Sequence, residues 1–123
     1  MDTKQLLDKA YGRTAMWEMA NLKPEETGLP VIVYASDKGN SQHGPRIKVQ
    51  NDYSSKVTND WFSVTIEADA KVPSSQSHIK IRVKDKDLAK VKQWINLNKD
   101  LLLKYWNGTI TTTTFIKELK KLS

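Results

Sequence analysis

The feature that most constrains this chain is a change of hydrophobic period partway along it. In four short stretches, at 31–36 (VIVYAS), 46–50 (RIKVQ), 61–67 (WFSVTIE) and 78–84 (HIKIRVK), apolar residues alternate with polar ones or gather as β-branched and aromatic runs. Successive side chains of a strand point to opposite faces, so each stretch predicts a strand. From position 87 the period lengthens, and Leu88, Val91, Trp94, Ile95, Leu101, Leu102, Tyr105 and Trp106 share one broad helical stripe. Asp85 or Asp87 is placed to cap that helix, and Asn107-Gly108 to stop it. Thr111 is placed to cap a last helix carrying Phe115, Ile116, Leu119 and Leu122.

The connections between the strands are polar and rich in turn residues, which predicts an antiparallel meander rather than crossover units. Residues 2–20 carry Leu6, Leu7, Ala10, Tyr11, Ala15, Met16 and Met19 near a 3.6 period, predicting one or two short helices. Residues 1–14 read as an extension or as part of that helix. The stretch KPEETGLP, with Pro24, Gly28 and Pro30, ends helicity. The fold expected is α+β: a three- to four-stranded, mainly antiparallel sheet with helices on one face, an N-terminal helix and two C-terminal helices. At 123 residues the chain predicts a single domain. The expected core includes Val33, Ile47, Val49, Val64, Ile66, Ile79, Ile81, Val91, Trp94, Ile95, Leu102 and Trp106.

Composition narrows the chemistry. The absence of cysteine excludes disulfides, thiolate catalysis and cysteine-held metals. His43 and His78 form no metal-binding spacing, the acidic residues form no calcium loop, and phosphate-loop and nucleophile-elbow motifs are absent. No cofactor is implied. No apolar run is long enough for a membrane helix, and the N-terminus lacks a basic start followed by an apolar block, so the expected location is the cytoplasm. The formal net charge of +6 favours polyanions, whether nucleic acid or an acidic protein surface.

Strand alternation says where that charge goes. With Ile47, Val49, Ile79, Ile81 and Val83 turned inward, Arg46, Lys48, Lys80, Arg82 and Lys84 occupy the open face of the sheet, with Trp61 at its margin. Lys38, Asn40 and His43 belong to the loop beside it, where Gly39 and Gly44 are expected to serve turn geometry through positive φ. Cations with an aromatic suit single-stranded nucleic acid. The same lysines also suit an ordinary solvated face that discourages edge-to-edge aggregation. His43 could serve as a general acid or base with Asp52, Tyr53 or His78 as its partner. No spacing fixes such a partner, so His43 is read as shaping the loop, and the chain as a binding protein rather than an enzyme.

Two stretches taken together carry a resemblance: TGLP at 27–30 leading to HGPRIKV at 43–49, and WINLN at 94–98 with LLLKYWNGTI at 101–110. They resemble a family of small uncharacterised bacterial and prophage proteins that have HGPRIKV opening a strand and a C-terminal W-I-x-x-N…YWNG helix. The plan is more distantly similar to a domain family of unknown function found near toxin–antitoxin loci, which usually has two histidines where this chain has one. The resemblance runs from about Ala15 to the end. It implies a fold plan and a setting in mobile elements. The function expected is a small basic binding protein engaging nucleic acid or another polyanion through its sheet face. The alternatives are an antitoxin-like or anti-defence inhibitor of another protein, and a metal-independent nuclease using His43.

Overall fold

The computed structural model describes residues 19–123. Four strands, β1 (Met19–Leu22), β2 (Val33–Ser36), β3 (Arg46–Gln50) and β4 (Trp61–Thr65), form an antiparallel sheet in the order β1-β2-β3-β4. A single helical turn, α1 (Pro24–Thr27), joins the first two. Three helices follow: α2 (Asp85–Leu97), α3 (Lys99–Trp106) and α4 (Thr112–Glu118). This is the α+β plan that the two hydrophobic periods predict.

Register fixes the two faces of the sheet. Val33 lies opposite Val49, Ile47 opposite Val64, and Val49 opposite Phe62, all on the core face. The helices cover that face with Val91, Trp94, Ile95, Leu102, Tyr105 and Phe115, which join the strand residues in one buried cluster. Tyr105 stacks on Phe115 with ring centroids 4.4 Å apart. Trp106 is also buried, whereas Ile79 and Ile81, expected in the core, are only half-buried against it.

The fourth strand is not the expected one. The stretch 78–84 makes no ladder, because the outer edge of β4 is already claimed. The Thr65 N–H donates to the Lys71 carbonyl (2.9 Å), and the Ser63 N–H donates to Gln76 Oε1 (2.6 Å). The buried Asn51 side chain then donates to the Lys80 carbonyl (2.8 Å) and accepts from the Arg82 N–H (2.7 Å). These bonds hold the segment against the β3–β4 connection instead. Its alternation is real, since Val83 is buried while Lys80, Arg82 and Lys84 are exposed. That alternation records burial, not strand pairing.

Met19–Leu22 takes the place at the opposite edge, where residues 2–20 predict helix. Four residues cannot separate the two periods, and pairing decides the matter: Ala20 lies opposite Ala35 and Leu22 opposite Val33, all four buried. The remainder of the expected N-terminal helix, residues 1–14 included, lies outside the described residues.

The helical region carries three corrections. The expected long helix breaks at Asn98, whose φ of −110° and ψ of 16° leave the α region. Neither Asp85 nor Asp87 caps it. Lys84 holds the N-cap position, and Asp87 accepts a hydrogen bond from the Tyr53 hydroxyl at 2.6 Å. The stretch KPEETGLP, expected to end helicity, holds α1, which Gly28 terminates at φ 79°. A Cβ on Gly28 would lie 2.0 Å from the Leu122 carbonyl oxygen, so glycine is also what lets the C-terminal segment pass. Thr111 does cap α4, accepting from the Thr114 N–H at 3.2 Å.

Candidate binding pocket on the polar sheet face

Because β3 alternates, the residues that put Ile47 and Val49 into the core put Arg46 and Lys48 on the other face. Lys48 lies opposite Ser63, and Trp61 stands one strand over, opposite Gln50. The Lys48 ammonium sits 4.2 Å from the centre of the Trp61 ring, a cation–π contact. Partial burial there pushes the Lys48 pKa down.

The β2–β3 loop folds over one end of this row. Gly39, at φ 49°, makes its turn, and its N–H donates to Asp37 Oδ1 (3.0 Å). Gly44 is not at positive φ, and a Cβ there would meet nothing within 4 Å, so its expected conformational role is corrected. The loop is tied to the helices by the Lys38 N–H, which donates to the Trp106 carbonyl at the end of α3 (2.8 Å). His43 leans on the Trp106 ring, centroids 5.7 Å apart. Its Nδ1 is 2.9 Å from the Gly44 carbonyl, which can only accept, so that nitrogen carries a proton.

The result is a pocket of about 450 Å³. Arg46, Lys48, Trp61 and Ser63 form its floor. Asp37, Lys38, Asn40 and His43 form the loop wall, and Gln76 and Trp106 close it from two other segments. Six sequence-predicted residues thus converge: Lys38, Asn40, His43, Arg46, Lys48 and Trp61. Lys80, Arg82 and Lys84 do not join them, because their segment is not part of the sheet; Arg82 instead pairs with Asp60. Sequence reasoning missed Ser36, Asp37, Ser41, Ser63, Gln76 and Trp106 as site residues. Nothing in the sequence marks Gln76. Trp106 reads correctly as core, but its ring also meets His43 of the loop.

The rest of the polar face is not open. Tyr34 and Gln50 are buried beneath the 51–60 connection. The Tyr34 hydroxyl donates to Gln50 Oε1 (2.5 Å), and Gln50 Nε2 donates to Asp52 (2.9 Å) and to the Lys56 carbonyl (2.9 Å). Burial raises the Tyr34 pKa. The expected open platform therefore shrinks to its loop end.

The acid–base partners weighed for His43 are engaged elsewhere. Asp52 accepts from Ser54, Gln50 and Thr58, and Tyr53 bridges Asp87 and the Lys84 N–H (2.9 Å). Neither residue lines the pocket, and nor does His78. Among the described residues no group of three His, Asp or Glu side chains could hold a metal, and no helix is long and apolar enough to cross a membrane. A second depression, of about 320 Å³, lies at the α2–α3 break, where Lys99, Lys104 and Lys120 alternate with Asp100 and Glu118. Its mixed charge selects no class of ligand. Comparison with protein-family profiles, curated proteins and solved structures gives no match.

Proposed function

We propose that this is a non-enzymatic nucleic-acid-binding protein of a prophage or mobile element, engaging single-stranded nucleic acid through the pocket at the loop end of its polar sheet face. One observation carries the reading: Lys38, Arg46 and Lys48 converge with Trp61 in one concave site that contains a single carboxylate, Asp37. Cations neutralise phosphates, and an exposed indole stacks a base without regard to its identity. His43, held by the Gly44 carbonyl and the Trp106 ring, shapes the wall of the site and moves no proton.

The test is fluorescence polarisation with a short labelled single strand, measured across a salt series. Binding should weaken steeply with salt, because each neutralised phosphate releases counterions. Charge reversal at Arg46 and Lys48 together should abolish binding at moderate salt. Reversal at Lys80 and Lys84, which lie off the sheet, should change it little. Equal loss from both pairs would mean that net charge alone drives binding, and the pocket would lose its role.

A further inference from the structure

We infer that the pocket accepts one nucleotide unit at a time, with its base against Trp61 and its phosphate at Arg46, rather than a strand running across the sheet. The inference rests on the nucleic-acid reading above and adds the size and polarity of what is recognised.

The first argument is enclosure. Past Trp61 the polar face is occupied by the buried Tyr34–Gln50 pair and the 51–60 connection. Toward β4 the pocket is closed by Gln76, fixed by two bonds to Ser63: the Ser63 N–H to Oε1 (2.6 Å) and Nε2 to the Ser63 hydroxyl (3.1 Å). At the opposite end stand His43 and Trp106. A polynucleotide track needs two open ends and successive stacking surfaces. Its floor offers one indole, Trp61, because Trp106 is buried, and the exposed His43 ring stands apart on the opposite wall against Trp106. A volume of about 450 Å³ belongs to the class of small-molecule sites.

The second argument is polarity along the floor. Arg46 and Lys48 are two residues apart on one strand, roughly 7 Å along its axis. Trp61 is beside Lys48, and Arg46 lies farther on, toward Lys38 and the loop. Stacking is therefore available at one end and anion binding at the other. Arg46 supplies an independent observation: its Nε is buried and has no acceptor among the described residues. Buried donors in folded proteins are nearly always paired, and a guanidinium is shaped to grip phosphate oxygens. That nitrogen is itself shielded from the pocket's solvent, so a phosphate there would meet the guanidinium through its terminal nitrogens. The Lys48 ammonium, lying on the Trp61 ring, holds the stacking surface until a base replaces it and the amine turns to the phosphate.

The experiment is displacement of a labelled single strand by adenosine 5′-monophosphate, by adenosine and by inorganic phosphate, with calorimetry of each compound alone. The nucleotide should displace the strand and bind once per chain, while adenosine and phosphate each bind at least about tenfold more weakly. Trp61→Ala and Arg46→Gln should each lower nucleotide affinity about tenfold, and Trp61→Phe should keep most of it. Thermal melts of the three variants confirm that they are folded. A strand that binds but resists displacement by millimolar nucleotide overturns the single-nucleotide site and leaves the nucleic-acid reading standing. Phosphate as effective as the nucleotide overturns the base-stacking half. Nucleotide binding with no strand binding supports the site and removes the nucleic-acid reading, and no binding of either removes both.

Discussion

Trp94 is fully buried at the centre of the core, and its indole N–H has no acceptor among the described residues. Truncation and conservative replacement should therefore diverge. Trp94→Ala opens a large cavity and should cost about 3–5 kcal/mol, a loss that shows as a steep fall in melting temperature. Trp94→Phe removes the unpaired donor along with part of the ring and should cost distinctly less. Chemical denaturation of both variants checks this, and equal losses would contradict the account. Asp52 makes a prediction in pH. The Ser54 N–H first, then the Gln50 side chain, hold its carboxyl below the ordinary 3.8. A carboxylate depressed by folding stabilises above its unfolded pKa, and that stability is lost as pH falls through the folded value. Asp52→Asn should thus be less stable than wild type at pH 7, and the gap should close below pH 3.8. A gap of constant size in urea melts across that range would contradict the assignment.

Among the elements, the break between α2 and α3 depends most on one side chain. Asn98 is buried, accepts from the Lys120 N–H (2.8 Å), and donates to the Lys120 carbonyl (3.0 Å) and the Trp94 carbonyl (3.2 Å). It pins the C-terminal segment, which continues to Leu122, whose N–H reaches the Thr27 carbonyl (2.7 Å). Asn98→Ala should cost about 1–3 kcal/mol through buried groups left unpaired, and should expose the C-terminus to carboxypeptidase. An unchanged digestion rate would refute the pinning role. This break also marks a limit of the sequence. The stripe from Leu88 to Trp106 is continuous, and a polar Asn at its midpoint looks like any solvated helix position. Only the arrival of Lys120, 22 residues later, makes it a joint. The strand at 78–84 fails for a related reason. Alternation records which side chains are buried, whereas ladder formation depends on a free partner edge, and Lys71 and Gln76 had taken that edge.

For the molecule as a whole, two of the periodic signals suffice to define the layers, since β3 and β4 alternate and the helices carry one apolar stripe. The same alternation turns Arg46 and Lys48 to the polar face beside Trp61, which is why the floor of the candidate site can be read directly from RIKVQ and WFSVT. The enclosure of the pocket could not be read in this way. It comes from the 51–60 connection, Gln76 and the end of α3, each brought in by long-range contacts that no local pattern announces. The most direct measurement is therefore a titration of isotope-labelled protein with a short single strand, followed by NMR at each amide and indole. The amides of Lys38, His43, Arg46 and Lys48 and the indole N–H of Trp61 should shift together and saturate at one site, with Lys80, Arg82 and Lys84 nearly still. Shifts centred on Lys80 to Lys84, or spread evenly over the basic surface, would contradict the pocket as the binding site.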